Sequence, residues 1–157
     1  VLGVSVISLT KIFLSQMLER KHGRVMIVSS VASYAPPSSI QSLYGPIKGF
    51  VNGFSDSLNA NYSHVGITST TVLPGYTVTE FHSVSGTQEQ MDKVPAFMKL
   101  KVHDVAEEAV KDCLAGKRIS IPSKRYKVIV CLLRLFPISM MTLVSNFLTG
   151  GRYKKKV

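Results

Sequence analysis

Two apolar runs with an amphipathic stretch between them constrain this chain more than any other feature. The first run is Arg24-Val25-Met26-Ile27-Val28-Ser29-Ser30. The second is Gly66-Ile67-Thr68-Ser69-Thr70-Thr71-Val72-Leu73, ended by Pro74-Gly75. Both are short and rich in β-branched residues, as buried strands are. Between them, residues 43–63 place Ile47, Val51, Phe54 and Leu58 at helical core spacing. Strand, helix, strand and a Pro-Gly turn make a parallel α/β unit, because parallel strands need a long crossover between them. The rest of the pattern predicts a helix to about Arg20 and a loop over 31–42 containing Pro36-Pro37. It predicts a flexible Ser-, Thr- and Gln-rich segment from Thr77 to Leu100, then a helix from Asp104 to Ala115. A short strand over Lys117–Pro122 and a helical, apolar remainder complete it.

The predicted helix carries chemistry on one face. Tyr44 and Lys48 stand at i,i+4 and therefore share it. A free phenol titrates near pH 10, and an adjacent ammonium favours its ionised form. That pairing suits general acid–base catalysis at neutral pH. Ser30, at the end of the preceding strand, supplies a hydroxyl able to polarise a carbonyl. Gly49 and Gly53 leave room on the same helix for another backbone to approach.

Order and spacing together resemble the short-chain dehydrogenase/reductase family. The matching pieces are Gly23 to Ser30, then Tyr44 and Lys48, then Pro74-Gly75-Tyr76-Thr77-Val78-Thr79. The resemblance implies a partial Rossmann-like, doubly wound parallel sheet. It implies Tyr44 as general acid/base, Lys48 as the group that tunes it and bonds the nicotinamide ribose, and Ser30 as the holder of the substrate carbonyl. Ser29 is the rival for that last role. The resemblance also implies cofactor contacts from Tyr44, Lys48, Pro74, Gly75, Thr77 and Thr79, with NAD or NADP as the cofactor. It makes 77–100 a substrate-covering loop and the 43–63 helix part of a homodimer interface. The implied substrate is a small hydrophobic ketone or alcohol, lipid- or steroid-like.

The sequence departs from the family pattern in three places. Ser30 lies 14 residues before Tyr44, where most members have 13. Pro46 sits inside the helix and is tolerable only in its first turn. Ile47 replaces the usual hydroxyl residue before the lysine. The larger departure is that no glycine-rich dinucleotide turn occurs anywhere, and the family's asparagine would fall before Val1. The expectation is the C-terminal half of an enzyme. The competing expectation is a non-catalytic, membrane-associated fragment without its cofactor-binding half.

Charge divides the chain. Residues 1–116 hold nine basic and nine acidic residues; residues 117–157 hold ten basic and none acidic. The neutral half holds the motifs, which disfavours nucleic acid as a partner and points the tail at an anionic surface. Val128 to Leu148 is an apolar run interrupted by Arg134 and Pro137 and flanked by Lys124-Arg125-Tyr126-Lys127 and Arg152-Tyr153-Lys154-Lys155-Lys156. The central arginine and proline favour two short helices in a membrane interface, with tyrosine and lysine at headgroup level; ordinary packing against the core or a dimer partner is the second reading, and a span the third. The expected units are therefore 1–123, a catalytic half-domain, and 124–157, a basic apolar tail. Cys113 and Cys131 lack metal spacing and read as reduced thiols of an intracellular protein, with peripheral membrane association expected through residues 124–157. The four histidines are scattered, and His82 reads as a loop residue, not a metal ligand.

Overall fold

The structure, a computed structural model, describes residues 2–36, 43–79, 84, 91–92, 94–137 and 139–140. Helix α1 (Val4–Glu19) leads into β1 (Gly23–Val28). Helix α2 (Tyr44–Tyr62) crosses over to β2 (Ile67–Val72), which pairs parallel to β1 from Gly23↔Ile67 to Val28↔Val72. The short β5 (Ile119–Ser120) pairs parallel on the other side of β2, giving the order β1-β2-β5. The predicted α/β class with a parallel sheet is what the chain adopts. His82 and the chain beyond Met140 lie outside the described residues.

The crossover closes through a short turn, Ser63–Val65, and Gly66 in the left-handed region at φ 86°. A side chain at Gly66 would be strained and would also overlap the Lys21 carbonyl. The core beneath the sheet is Ile27, Val51 and Leu58, with Val6, Leu14, Val25, Phe54 and Tyr62 packed against it. Three of the four positions expected to face inward from α2 do so in this cluster.

The second run is unusually polar for a buried strand, and α2 explains it. Asn59 is buried and uses its amide as a backbone mimic. Its Nδ2 donates to the Ser69 carbonyl at 2.7 Å, and the Ser69 N–H donates to its Oδ1 at 2.9 Å. The Ser55 and Ser69 hydroxyls meet at 2.7 Å. Paired as they are here, the buried polar groups of Asn59, Ser55 and Ser69 cost little and fix the register of helix on strand.

Three boundaries differ from expectation. The first strand ends at Val28, two residues early. The Ser29 N–H still reaches the Val72 carbonyl at 2.8 Å, but Ser30 then caps a tight turn over Val31–Tyr34 by accepting from the Ala32 N–H. The strand expected over 117–122 shrinks to Ile119–Ser120. The segment expected to be flexible from Thr77 to Leu100 is instead pinned at both ends. Thr77–Val78 (β3) pairs with Leu100–Lys101 (β4), and the Leu100 N–H donates to the Tyr76 carbonyl at 2.8 Å. β4 runs directly into α3 (Val102–Leu114).

Helix α4 (Lys124–Leu135) ends where Phe136 turns extended ahead of Pro137, as the residue before a proline must. Its inner face buries Tyr126 and Val130. Tyr126 is thus inside the protein and not at a headgroup level. Among the described residues no helix is long and apolar enough to cross a membrane.

Candidate active site

Tyr44 is the first residue of α2, and Pro46 falls in the first turn, where its missing N–H is harmless. Lys48 follows one turn later with its Nζ 5.6 Å from the Tyr44 ring centre, over the ring face. The ammonium donates to the Val28 carbonyl at 2.8 Å. Burial of this ammonium pushes Lys48 below the usual lysine range. In return, Ser29 Oγ donates to the Lys48 carbonyl at 3.0 Å. The end of β1 and the first turns of α2 are therefore stitched together twice.

These bonds separate the two serines. Ser29 is buried and its hydroxyl is spent on the helix backbone. Ser30 is half-buried, and its Oγ accepts from the Ala32 N–H at 3.1 Å, so its own proton remains to donate. The turn that Ser30 opens packs on α2. Asn52 Nδ2 donates to Ser33 Oγ at 2.8 Å, and a Cβ on Gly45 would stand 3.0 Å from the Ala32 carbonyl oxygen. The same turn is tied to the second strand, since the Val31 N–H donates to the Pro74 carbonyl at 3.1 Å. Ser30, Tyr44, Lys48 and Pro74-Gly75 are thus gathered at the carboxyl ends of two parallel strands, where open α/β sheets place their ligands.

The other expected residues are placed less closely. Thr77 Oγ1 donates back to the Gly75 carbonyl at 3.1 Å and shapes the turn. Thr79 is exposed at the end of the described stretch. A Cβ on Gly49 would meet the Ser33 carbonyl oxygen at 3.8 Å, an ordinary contact, and one on Gly53 would meet open space.

One residue at the site escaped sequence reasoning. The Tyr126 ring lies against Gly75, and any side chain at position 75 would overlap it. Tyr126 Oη accepts from the Tyr76 N–H at 3.1 Å and donates to the Met98 carbonyl at 2.8 Å. Burial pushes this phenol above the ordinary tyrosine range. One side chain therefore clasps the Pro-Gly turn and the far end of the 77–100 segment onto α4. The glycine at 75 is explained by this packing. A lone tyrosine among basic residues carries no local signal of such a role. Arg134, from the same helix, lies 5.5 Å over the Tyr34 ring and holds the Ser30 turn from outside.

Strand end, helix start and Pro-Gly turn together define an α/β protein with a Ser, Tyr and Lys set at the sheet's carboxyl edge. A family model described as short chain dehydrogenase matches residues 3–90, more than half of the chain, and the chain belongs to that family. It is 37% identical over 82 residues to a very-long-chain 3-oxoacyl-CoA reductase of Anas platyrhynchos, covering 52% of this chain and 26% of that protein. It is 26% identical over 130 residues to the enzyme of the same name from Bos taurus, covering 79% of this chain and 41% of that protein. A short-chain dehydrogenase from Sphingobium yanoikuyae, solved in complex with NADPH, superposes with a TM-score of 0.69 at 20% identity, over 99% of this chain and 55% of that one. The chain spans less than half the length of these two curated relatives.

The donor set suits the nicotinamide–ribose end of a dinucleotide. A lysine carries three donors, and the bond to Val28 uses one of them. Lys48 also lines a cleft of about 450 Å³ between α1 and β1, beside Val28. The phosphate end has no counterpart here, because the sequence holds no glycine-rich turn to receive it.

Proposed function

We propose that the complete protein is an oxidoreductase that moves a hydride between NAD(H) or NADP(H) and the carbonyl or alcohol carbon of a hydrophobic substrate. The observation that carries this reading is the buried Lys48 ammonium held beside the Tyr44 ring and bonded to the end of β1. The cofactor, when bound, supplies or accepts the hydride. Tyr44 passes a proton to or from the substrate oxygen. Lys48 keeps positive charge next to that phenol and bonds the ribose. Ser30 donates a hydrogen bond to the same oxygen and sets its orientation. The names of the two reductases above support a lipid-like, acyl-CoA-type substrate over a sugar or a small polar ketone.

A homodimer through α1 and α2 belongs to the same proposal. Ile12, Phe13 and Phe50 are exposed on these helices, and Gly53 opens onto free space. The decisive variant is Tyr44→Phe in the full-length protein, which removes only the phenolic oxygen and its proton. Reduction of a 3-oxoacyl substrate is expected to fall below a tenth of the wild-type kcat, with circular dichroism unchanged. Retained turnover in a folded variant would remove Tyr44 from the proton path.

A further inference from the structure

Helix α4 has two faces that do different things. Tyr126, Val130 and Arg134 face the protein and hold the Pro-Gly turn and the Ser30 turn. The opposite face is apolar and open: Val128 is 59% exposed, Leu132 48% and Leu135 71%. At 3.6 residues per turn these three lie within an arc of roughly 60°. The free thiol of Cys131 is exposed beside them. Lys124 heads the same arc, Arg125 borders it on one side, and Lys127 borders it on the other, with its Nζ paired to Glu108 Oε1 at 2.7 Å. An apolar stripe edged by cations on both sides is the pattern of a helix lying in a membrane interface.

Phe97 extends the patch. Its carbonyl accepts from Arg125 Nη1, which holds the backbone at Phe97 beside α4, and the Phe97 side chain is exposed. Phe97 lies in the short turn Ala96–Met98, whose Met98 carbonyl is the one bonded by Tyr126. The open face and the rim of the 77–100 segment are thus parts of one surface.

We propose that the outer face of α4, with Phe97, docks on an anionic lipid surface and presents the site's rim to the bilayer. This goes beyond the oxidoreductase reading and does not depend on it. Charge selects the occupant. Residues 117–157 carry ten cations and no acid, and the Glu108 carboxylate on Lys127 answers one of the cations at the stripe's border. Two copies joined symmetrically through this stripe would set cations against cations. An anionic headgroup layer over an apolar interior meets both the stripe and its borders. The helix is 12 residues long, so it lies on the membrane and does not cross it.

The test uses the full-length protein and flotation with vesicles of phosphatidylcholine, alone or mixed with phosphatidylserine. Binding is expected only to the mixed vesicles and is expected to weaken as salt rises. The Leu132→Ser/Leu135→Ser double variant changes two exposed positions and should keep the wild-type melting temperature while its partitioning falls about tenfold or more. A polarity-sensitive dye on Cys131, with the buried Cys113 protected by the fold, should shift to the blue when mixed vesicles are added. Equal partitioning of wild type and double variant would assign any binding to another part of the chain and overturn the proposal. So would a dye that does not respond, or a wild-type protein that ignores the mixed vesicles. A dimer in sedimentation that the double variant dissociates would give the face to a second copy instead.

Discussion

Ser29 and Ser30 are neighbours of identical chemistry, and their surroundings assign them opposite work. The Ser29 hydroxyl is buried on the Lys48 carbonyl; Ser30 stands at the rim with its proton to give. Ser29→Ala is therefore expected to cost stability, about 1 kcal/mol for a buried hydrogen bond, while leaving turnover nearly intact. Ser30→Ala is expected to keep the melting temperature within a degree or two and lower kcat on the order of 10²-fold, as loss of one donor to a developing oxyanion does. Kinetics and thermal unfolding of the two variants separate the roles, and a reversed pattern would make Ser29 the substrate-facing serine. Lys48 is tested by its pH profile. Burial holds its ammonium below the usual lysine range, so the charge next to Tyr44 is lost at lower pH than for a free lysine. Lys48→Met should move the limb of the kcat profile that reports the general base to higher pH and weaken cofactor affinity. An unmoved limb with unchanged affinity would take Lys48 out of the site.

At the scale of elements, two fastenings hold the C-terminal part of the fold to the sheet. The first is Tyr126 between Tyr76 and Met98. Tyr126→Phe leaves a backbone donor and a backbone acceptor without their partner, and a loss of about 1–3 kcal/mol is expected. Urea titration measures it, and hydrogen exchange should quicken over 76–78 and 98–101 before it does elsewhere. The second fastening closes the turn between α3 and β5. Asp112 is buried, and Lys117 Nζ reaches its Oδ1 at 2.6 Å. Burial alone would push the Asp112 carboxyl up; the hydrogen bond and charge of Lys117 outweigh burial and hold it below the usual range. A carboxyl lowered in the folded state stabilises above its unfolded value and stops doing so as pH falls through its folded one. Asp112→Asn should therefore lower the melting temperature at pH 7, with the gap between variant and wild type closing below about pH 4. A gap that persists at low pH would mean that the contact acts through packing and not through charge.

At the scale of the whole molecule, Ser30, Tyr44 and Lys48 are gathered by β1, α2 and the Val31–Tyr34 turn, which the Pro74 carbonyl and Arg134 hold in place. No glycine-rich turn occurs in the sequence to hold a pyrophosphate, and β1 is paired on one side only among the described residues. These 157 residues expressed by themselves are expected to show no micromolar binding of NAD(H) or NADP(H) by calorimetry. Micromolar affinity in that experiment would show that the nicotinamide end suffices.

The sequence by itself determined the elements whose signal is local. The strands at 24–28 and 67–72 and the helix between them follow from β-branched runs and a 3.6-residue period, and the Tyr44–Lys48 face follows from that period alone. Pro137 ended α4 as its ring requires. Only the tertiary structure decided what depends on a partner distant in sequence. The resemblance chose Ser30 over Ser29, but that the Ser29 hydroxyl is spent on the helix backbone shows only once the Lys48 carbonyl, 19 positions later, is beside it. The ends of the 77–100 segment became strands because they pair with each other across more than 20 residues, for which two-residue stretches carry no periodicity. Tyr126 reads as an exposed member of a basic cluster until Gly75, about 50 residues earlier, offers a surface without a Cβ for its ring. Periodicity reports which face of an element is apolar; which residue meets that face is set by the chain's return, and that return is a property of the fold.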